Sequence, residues 1–110
     1  MLWLDDLELN RMERTVKRAG RVIELTPKEF GLLECLMRNA GQRVTRAQIV
    51  QQMFPRARRS RRDEPTNVVD VYVNYLRNKI NGPLDRKLIH TVRGIGYEMH
   101  GVANVPIPEV

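Results

Sequence analysis

Cysteine is nearly missing from this chain: Cys35 is the only one in 110 residues. A single thiol excludes an internal disulfide framework and fits a reducing compartment. No apolar run approaches the roughly 18 residues that mark a membrane-spanning helix, so no membrane partner is expected. The opening Met1-Leu2-Trp3-Leu4-Asp5-Asp6 is too short and too acidic for a signal peptide. These absences point to a soluble, cytoplasmic location. Reactive motifs are missing too: HExxH, CxxC, GxSxG and calcium-loop spacings do not occur. Gly94-Ile95-Gly96 precedes neither GK[ST] nor a helix start, which excludes a phosphate loop. Asp5-Asp6 and Asp63-Glu64 lack a third converging ligand, and Cys35 and Met37 have no metal-ligand companions. His90 has no paired carboxylate or second ligand within sequence reach, and His100 lies near the far end of the same segment. No catalytic residue, metal or cofactor is expected, and a domain this small has little room for an enzyme pocket.

Positive charge, by contrast, is plentiful. Nineteen Lys and Arg oppose thirteen Asp and Glu, giving a net charge of +6 and a pI near 10.1. That balance favours a polyanionic partner. With 42% hydrophobic residues the chain can build one modest core, which argues for a single domain and against wholesale disorder. Residues 1–100 are expected to form that domain. Residues 101–110, with two prolines and little pattern, are expected to be a flexible tail. A chain that begins directly in a strand-like segment also fits one domain cut from a longer protein.

Residues 2–25 read as short antiparallel strands. Trp3-Leu4, Leu7-Glu8-Leu9-Asn10, Thr15-Val16-Lys17 and Arg21-Val22-Ile23-Glu24-Leu25 are the β-prone runs, with Ala19-Gly20 as a turn. Glu8, Arg11, Glu13, Arg14 and Lys17 are assigned to their wet face. Thr26-Pro27-Lys28-Glu29 then combines an N-cap threonine, proline at the first helical position and glutamate at the third, with Leu25 and Phe30 as the hydrophobic staple. Leu33, Leu36, Met37 and Ala40 continue at helical spacing until Asn39 to Gly41 stops the helix. Thr45 and Gln48 repeat the capping grammar for a second helix of about nine residues. Val44 and Ile49 staple it, and Ile49, Val50, Met53 and Phe54 face inward. Arg43-Val44 could add a brief strand.

Residues 66–82 carry the most informative pattern. Val69, Val73, Leu76 and Ile80 fall on one narrow helical stripe suited to a core. Thr66 or Asn67 can cap the start, and Gly82-Pro83 ends the helix. Val71, Asn74, Tyr75 and Asn78 point away from the stripe, with Arg77 and Lys79 on its flanks. Asparagine can read adenine, an apolar carbon can meet a thymine methyl, and basic flanks can reach phosphate. An ordinary amphipathic helix with a polar outside is the plainer reading of the same residues. Upstream, residues 55–65 include Arg56, Arg58, Arg59, Arg61 and Arg62, then Asp63-Glu64. This connection reads as a solvated loop, a phosphate-touching arm or a protein-docking surface. Downstream, Leu88 to Arg93 and Tyr97 to Met99 flank a glycine-containing tip and form a hairpin. Beside a groove-reading helix such a hairpin is a wing, with Arg93 placed for the minor groove or its phosphates.

From Leu25 to Tyr97 the chain resembles the C-terminal winged-helix DNA-binding domain of two-component response regulators of the OmpR/PhoB type. The matching pieces are LTPKEFGLLECLMRNAG, TRAQIVQQMF, TNVVDVYVNYLRNKI and LIHTVRGIGYEM, in family order and spacing. The resemblance implies an α+β winged helix-turn-helix: a four-stranded antiparallel N-terminal sheet, three helices and a C-terminal β-hairpin wing. It places helix contacts to DNA on Asn67, Tyr72, Asn74, Tyr75 and Arg77, and wing contacts on Thr91 and Arg93. It further implies RNA polymerase contact through loop 55–65, and binding to tandem direct repeats of double-stranded DNA as a head-to-tail dimer. Three departures stand out. Asn74 and Tyr75 occupy positions that are basic in many members, Phe54 replaces the usual tryptophan, and loop 55–65 is unusually rich in arginine. The aspartyl phosphate that regulates such proteins has no acceptor domain within these residues. Protein docking through loop 55–65 is the alternative function, and double-stranded RNA binding a third.

Overall fold

Alternation of apolar and polar residues builds the first layer. In a computed structural model, which describes residues 1–54, 66–81 and 87–101, four short strands run antiparallel in sequence order. They are β1 (Leu2–Leu4), β2 (Leu7–Asn10), β3 (Thr15–Arg18) and β4 (Arg21–Ile23). Leu4, Leu7, Leu9 and Val16 point inward and are buried. Trp3, Glu8, Lys17 and Val22 align across the outer face. The last expected run is shorter than its sequence suggested, ending at Ile23 rather than Leu25. Between β3 and β4 the two turn residues Ala19 and Gly20 both have positive φ, 53° and 79°. Two left-handed central residues match the twist of a tight hairpin, and the non-glycine Ala19 is the strained one.

The helices start where their caps predict. α1 (Pro27–Arg38) and α2 (Arg46–Met53) each begin with a complete capping box, Thr26 with Glu29 and Thr45 with Gln48. α2 has eight residues and ends at Met53, with Phe54 as its C-cap. Lys28 closes that end by donating from Nζ to the Met53 carbonyl at 2.7 Å, its ammonium 4.3 Å above the Phe54 ring. α3 (Thr66–Ile80) buries Val69, Val73, Leu76 and Ile80 against α1 and α2. The apolar stripe is therefore a core seam. The expected stop at Gly82-Pro83 and the capping side chains of Thr66 and Asn67 lie outside the described residues, as do loop 55–65 and the tail beyond Gly101.

A second sheet closes the domain. β5 (Arg43–Thr45), β7 (Gly96–Met99) and β6 (Ile89–Val92) pair antiparallel in that order, so the hairpin's returning strand is central. Gly96 sits where β7 meets both neighbours, opposite Thr45 and Val92. A side chain there would meet the Val44 carbonyl oxygen at 2.1 Å, so only glycine fits.

One buried polar residue joins the two ends of the fold. Arg18 on β3, only 3% exposed, donates from Nη1 to the Ile80 carbonyl at 2.8 Å and from Nε to Asp6 at 2.9 Å. It thereby satisfies a carbonyl in the last turn of α3 and bonds the N-terminal sheet to that helix. A basic residue in an alternating strand carries no sequence mark of that role.

Candidate nucleic-acid interface

With its seam buried, α3 presents the opposite side to solvent. Val71 is 46% and Tyr75 53% exposed, and Asn74 and Asn78 are exposed beside them. For these four residues the structure agrees with the orientation read from spacing. Tyr72 is different: it is half-buried against the core, with its ring 6.4 Å from Phe54 and edge-on to Tyr75 at 6.3 Å. The side chain of Asn67 lies outside the described residues.

The flanking cations are not free. Lys79 donates from Nζ to Glu29 Oε1 at 2.7 Å, across to α1. Glu29 is buried and also accepts from the Thr26 amide at 2.9 Å. Burial pushes the Glu29 carboxyl up, but the Lys79 hydrogen bond, the Thr26 amide and the Lys79 charge outweigh it and hold it below its ordinary value. Lys79, expected at the flank as a phosphate contact, is thus occupied by a buried carboxylate. Arg77 donates from Nη2 to the Thr91 hydroxyl on β6, and its guanidinium lies 5.4 Å from the centre of the Tyr97 ring. Two residues expected at the DNA therefore brace helix against wing.

A second brace holds the other side of α3. Asp70 accepts from Arg46 Nε at 3.0 Å and from the Tyr97 hydroxyl. The Tyr97 hydrogen bond is the main reason its carboxyl is held below the ordinary range; Arg46 adds to this and partial burial opposes it. Burial, reinforced by the neighbouring carboxylate, raises the Tyr97 hydroxyl. Arg46 also lies 5.5 Å from the centre of the same ring. Arg46 on α2, Asp70 on α3 and Tyr97 on β7 thus fix three elements at one point. None was picked out by motif, and the available hint is that Asp70 is the sole acid in α3.

The wing ends in an exposed Arg93, next to Gly94 with φ 75°, and the turn is closed by Ile95 N–H to the Val92 carbonyl at 2.9 Å. Thr91 is exposed as well. Behind them His90 and His100 stack face to face, with ring centres 3.8 Å apart, an approach that sequence separation hid. Burial is the largest of the effects that lower the His90 pKa. Among the described residues no cluster of three His, Cys, Asp or Glu could hold a metal, and no helix is long and apolar enough to cross a membrane. Cys35 is buried, and burial pushes its thiol up.

A four-stranded sheet, three helices and a terminal hairpin, with one helix presenting an open polar face beside the hairpin, define a winged-helix domain. Residues 20–99 match the family described as "Transcriptional regulatory protein, C terminal", and the chain belongs to it. It is 41% identical over 100 residues to the transcriptional regulatory protein YkoG of Bacillus subtilis, covering 91% of this chain and 42% of YkoG. The chain thus spans about two fifths of that relative's length. Its fold matches the DNA-binding domain of CpxR from E. coli with a TM-score of 0.76 at 32% identity, covering 93% and 97% of the two chains. The Klebsiella pneumoniae RstA DNA-binding domain, solved in complex with its RstA box, matches with a TM-score of 0.74 at 25% identity, covering 90% and 95%. The fold is that of the OmpR/PhoB effector domains, as the sequence motifs implied.

Proposed function

We propose that this chain is the effector domain of a two-component response regulator and binds double-stranded DNA sequence-specifically to regulate transcription. α3 enters the major groove and presents Val71, Asn74, Tyr75 and Asn78 to base edges, and Asn67 and Tyr72 contact the duplex from the same helix. Arg93 reaches the minor groove or its phosphates from the wing, and Thr91 contacts the backbone while orienting Arg77. The observation that carries this reading is the pairing of an uncharged, solvent-facing side of α3 with a wing braced to the same helix through Arg77 and Thr91. The work is binding, with no covalent step, cofactor or metal.

Around that core function we place a head-to-tail dimer on tandem direct repeats, formed in the cytoplasm. Loop 55–65 touches RNA polymerase or the DNA backbone. Residues 1–100 act as one domain.

Selection of bound duplexes from a random library, followed by anisotropy titrations at several salt concentrations, tests the reading. The expected result is an enriched site, present in tandem, bound about a thousandfold or more tighter than random duplex. RNA of the same sequence should bind far more weakly. Equal affinity for all duplexes, or no binding, would remove the proposed function.

A further inference from the structure

α3 contains three formally charged side chains, Asp70, Arg77 and Lys79. Each is already engaged within the protein. Asp70 holds Arg46 and Tyr97, Arg77 holds Thr91 while lying over the Tyr97 ring, and Lys79 holds the buried Glu29. What remains on the solvent side among the described side chains is uncharged: Val71, Asn74, Tyr75 and Asn78. The two amides make no hydrogen bond to the rest of the described protein, so all their donors and acceptors are available.

That arrangement selects a base chemistry. Guanine presents two acceptors, O6 and N7, in the major groove and is read by paired donors from arginine or lysine. Among the described residues of this helix the one arginine and the one lysine are both held elsewhere, Arg77 by Thr91 and the Tyr97 ring and Lys79 by Glu29. Adenine presents an acceptor, N7, beside a donor, the N6 amino group, and a carboxamide offers the matching donor and acceptor on one planar group. Its partner thymine adds a methyl that only carbon surfaces reward, and Val71 and Tyr75 supply exposed carbon next to the amides. Asn74 and Asn78 stand one turn apart, about 6 Å along the axis, which spans about two base-pair steps.

We infer that α3 reads a short run of A·T pairs, Asn74 and Asn78 each taking an adenine edge while Val71 and Tyr75 cover thymine methyls. This rests on the proposed DNA-binding function and names the base class that function would select. Arg77 takes no part in base readout; it holds the wing.

The test uses the 110-residue chain and the site enriched from a random duplex library. Each adenine in the segment is replaced in turn by 7-deazaadenine, which removes N7 alone, and each thymine by uracil, which removes the methyl alone. At the adenines under Asn74 and Asn78, loss of N7 should weaken the wild-type protein about five- to a hundredfold. The Asn74→Ala protein should be indifferent to one of those replacements, because its contact is already gone. Asn74→Arg should move the preference at that pair from adenine to guanine. Uracil should cost a few-fold at the thymines under Val71 and Tyr75. A G·C segment sensitive to 7-deazaguanine, with that sensitivity abolished by Arg77→Ala, would overturn the assignment and leave sequence-specific binding standing. An enriched A·T site that tolerates every base replacement would also overturn it. A library that returns no site would instead remove the proposed function itself. The base replacements are read on the wild-type protein, so they stand whether or not a variant folds.

Discussion

Replacing Lys79 by methionine separates two roles for one residue: a phosphate contact at the edge of the DNA, or a pin between α3 and α1. Methionine keeps most of the stem and removes the ammonium that sits 2.7 Å from Glu29. The Glu29 side chain is only 4% exposed and would keep only its contacts to Thr26, with the amide at 2.9 Å. Stranding one partner of a fully buried pair costs about 3–5 kcal/mol. Here the Lys79 side chain is 39% exposed, so water can partly replace it. The expected loss falls to about 1–2 kcal/mol, or a drop in Tm of about 5–15 °C for a domain of this size.

The effect should also depend on pH. Because the folded Glu29 carboxyl is held below its ordinary value, its contribution is complete above the usual carboxylate range and is lost as pH falls through the folded value. Without Lys79, burial should dominate and raise the carboxyl, so the gap between wild type and variant should begin to narrow above the usual carboxylate range and close as pH falls through the lowered wild-type value. Urea unfolding at a series of pH values measures both quantities. The slope of log affinity for DNA against log salt should be unchanged. An unaltered stability together with a slope smaller by about 0.9 would show that Lys79 neutralises a phosphate and that its pairing with Glu29 contributes nothing.

Three further outcomes follow from the same contacts. Arg18→Met should destabilise by about 2–4 kcal/mol in chemical denaturation, since the Ile80 carbonyl and Asp6 both lose a partner that is 3% exposed; a loss under about 0.5 kcal/mol would refute its role as an anchor. Gly96→Ala should cost at least about 3 kcal/mol, because its new methyl would meet backbone rather than a side chain that can swing away. Hydrogen exchange should then rise in β5 and β7, and a variant with wild-type protection would contradict the close packing. Arg93→Ala should change stability by no more than about 0.5 kcal/mol while weakening all duplexes alike and lowering the salt slope by about 0.9; an unchanged slope would take Arg93 off the DNA.

Much of the fold is local, and what is local is legible. Capping boxes at Thr26 and Thr45 act over three residues, so both helix starts are readable in the chain and appear at those positions. The stripe of Val69, Val73, Leu76 and Ile80 repeats with the helical period and is the seam of α3. The same period sets which side of α3 is left over. Strand β5, only three residues long, was suggested by Arg43-Val44 but owes its existence to β7, more than fifty positions later in the chain.

Partner choice among charged residues is not periodic, and it escaped the pattern. Sequence spacing put Arg77 and Lys79 beside an open face and suggested phosphate for both, whereas the folded chain gives one to Thr91 and the other to Glu29. Arg18 drew no assignment from the sequence, and its role appears only where β3 meets the end of α3. Composition, period and caps thus determined three helices, a wing and the uncharged side that faces outward. Tertiary structure decided which cations stay available, because a charge is claimed by the nearest opposite or polar group in space, and that neighbour lies 14 residues away for Arg77, 50 for Lys79 and 62 for Arg18.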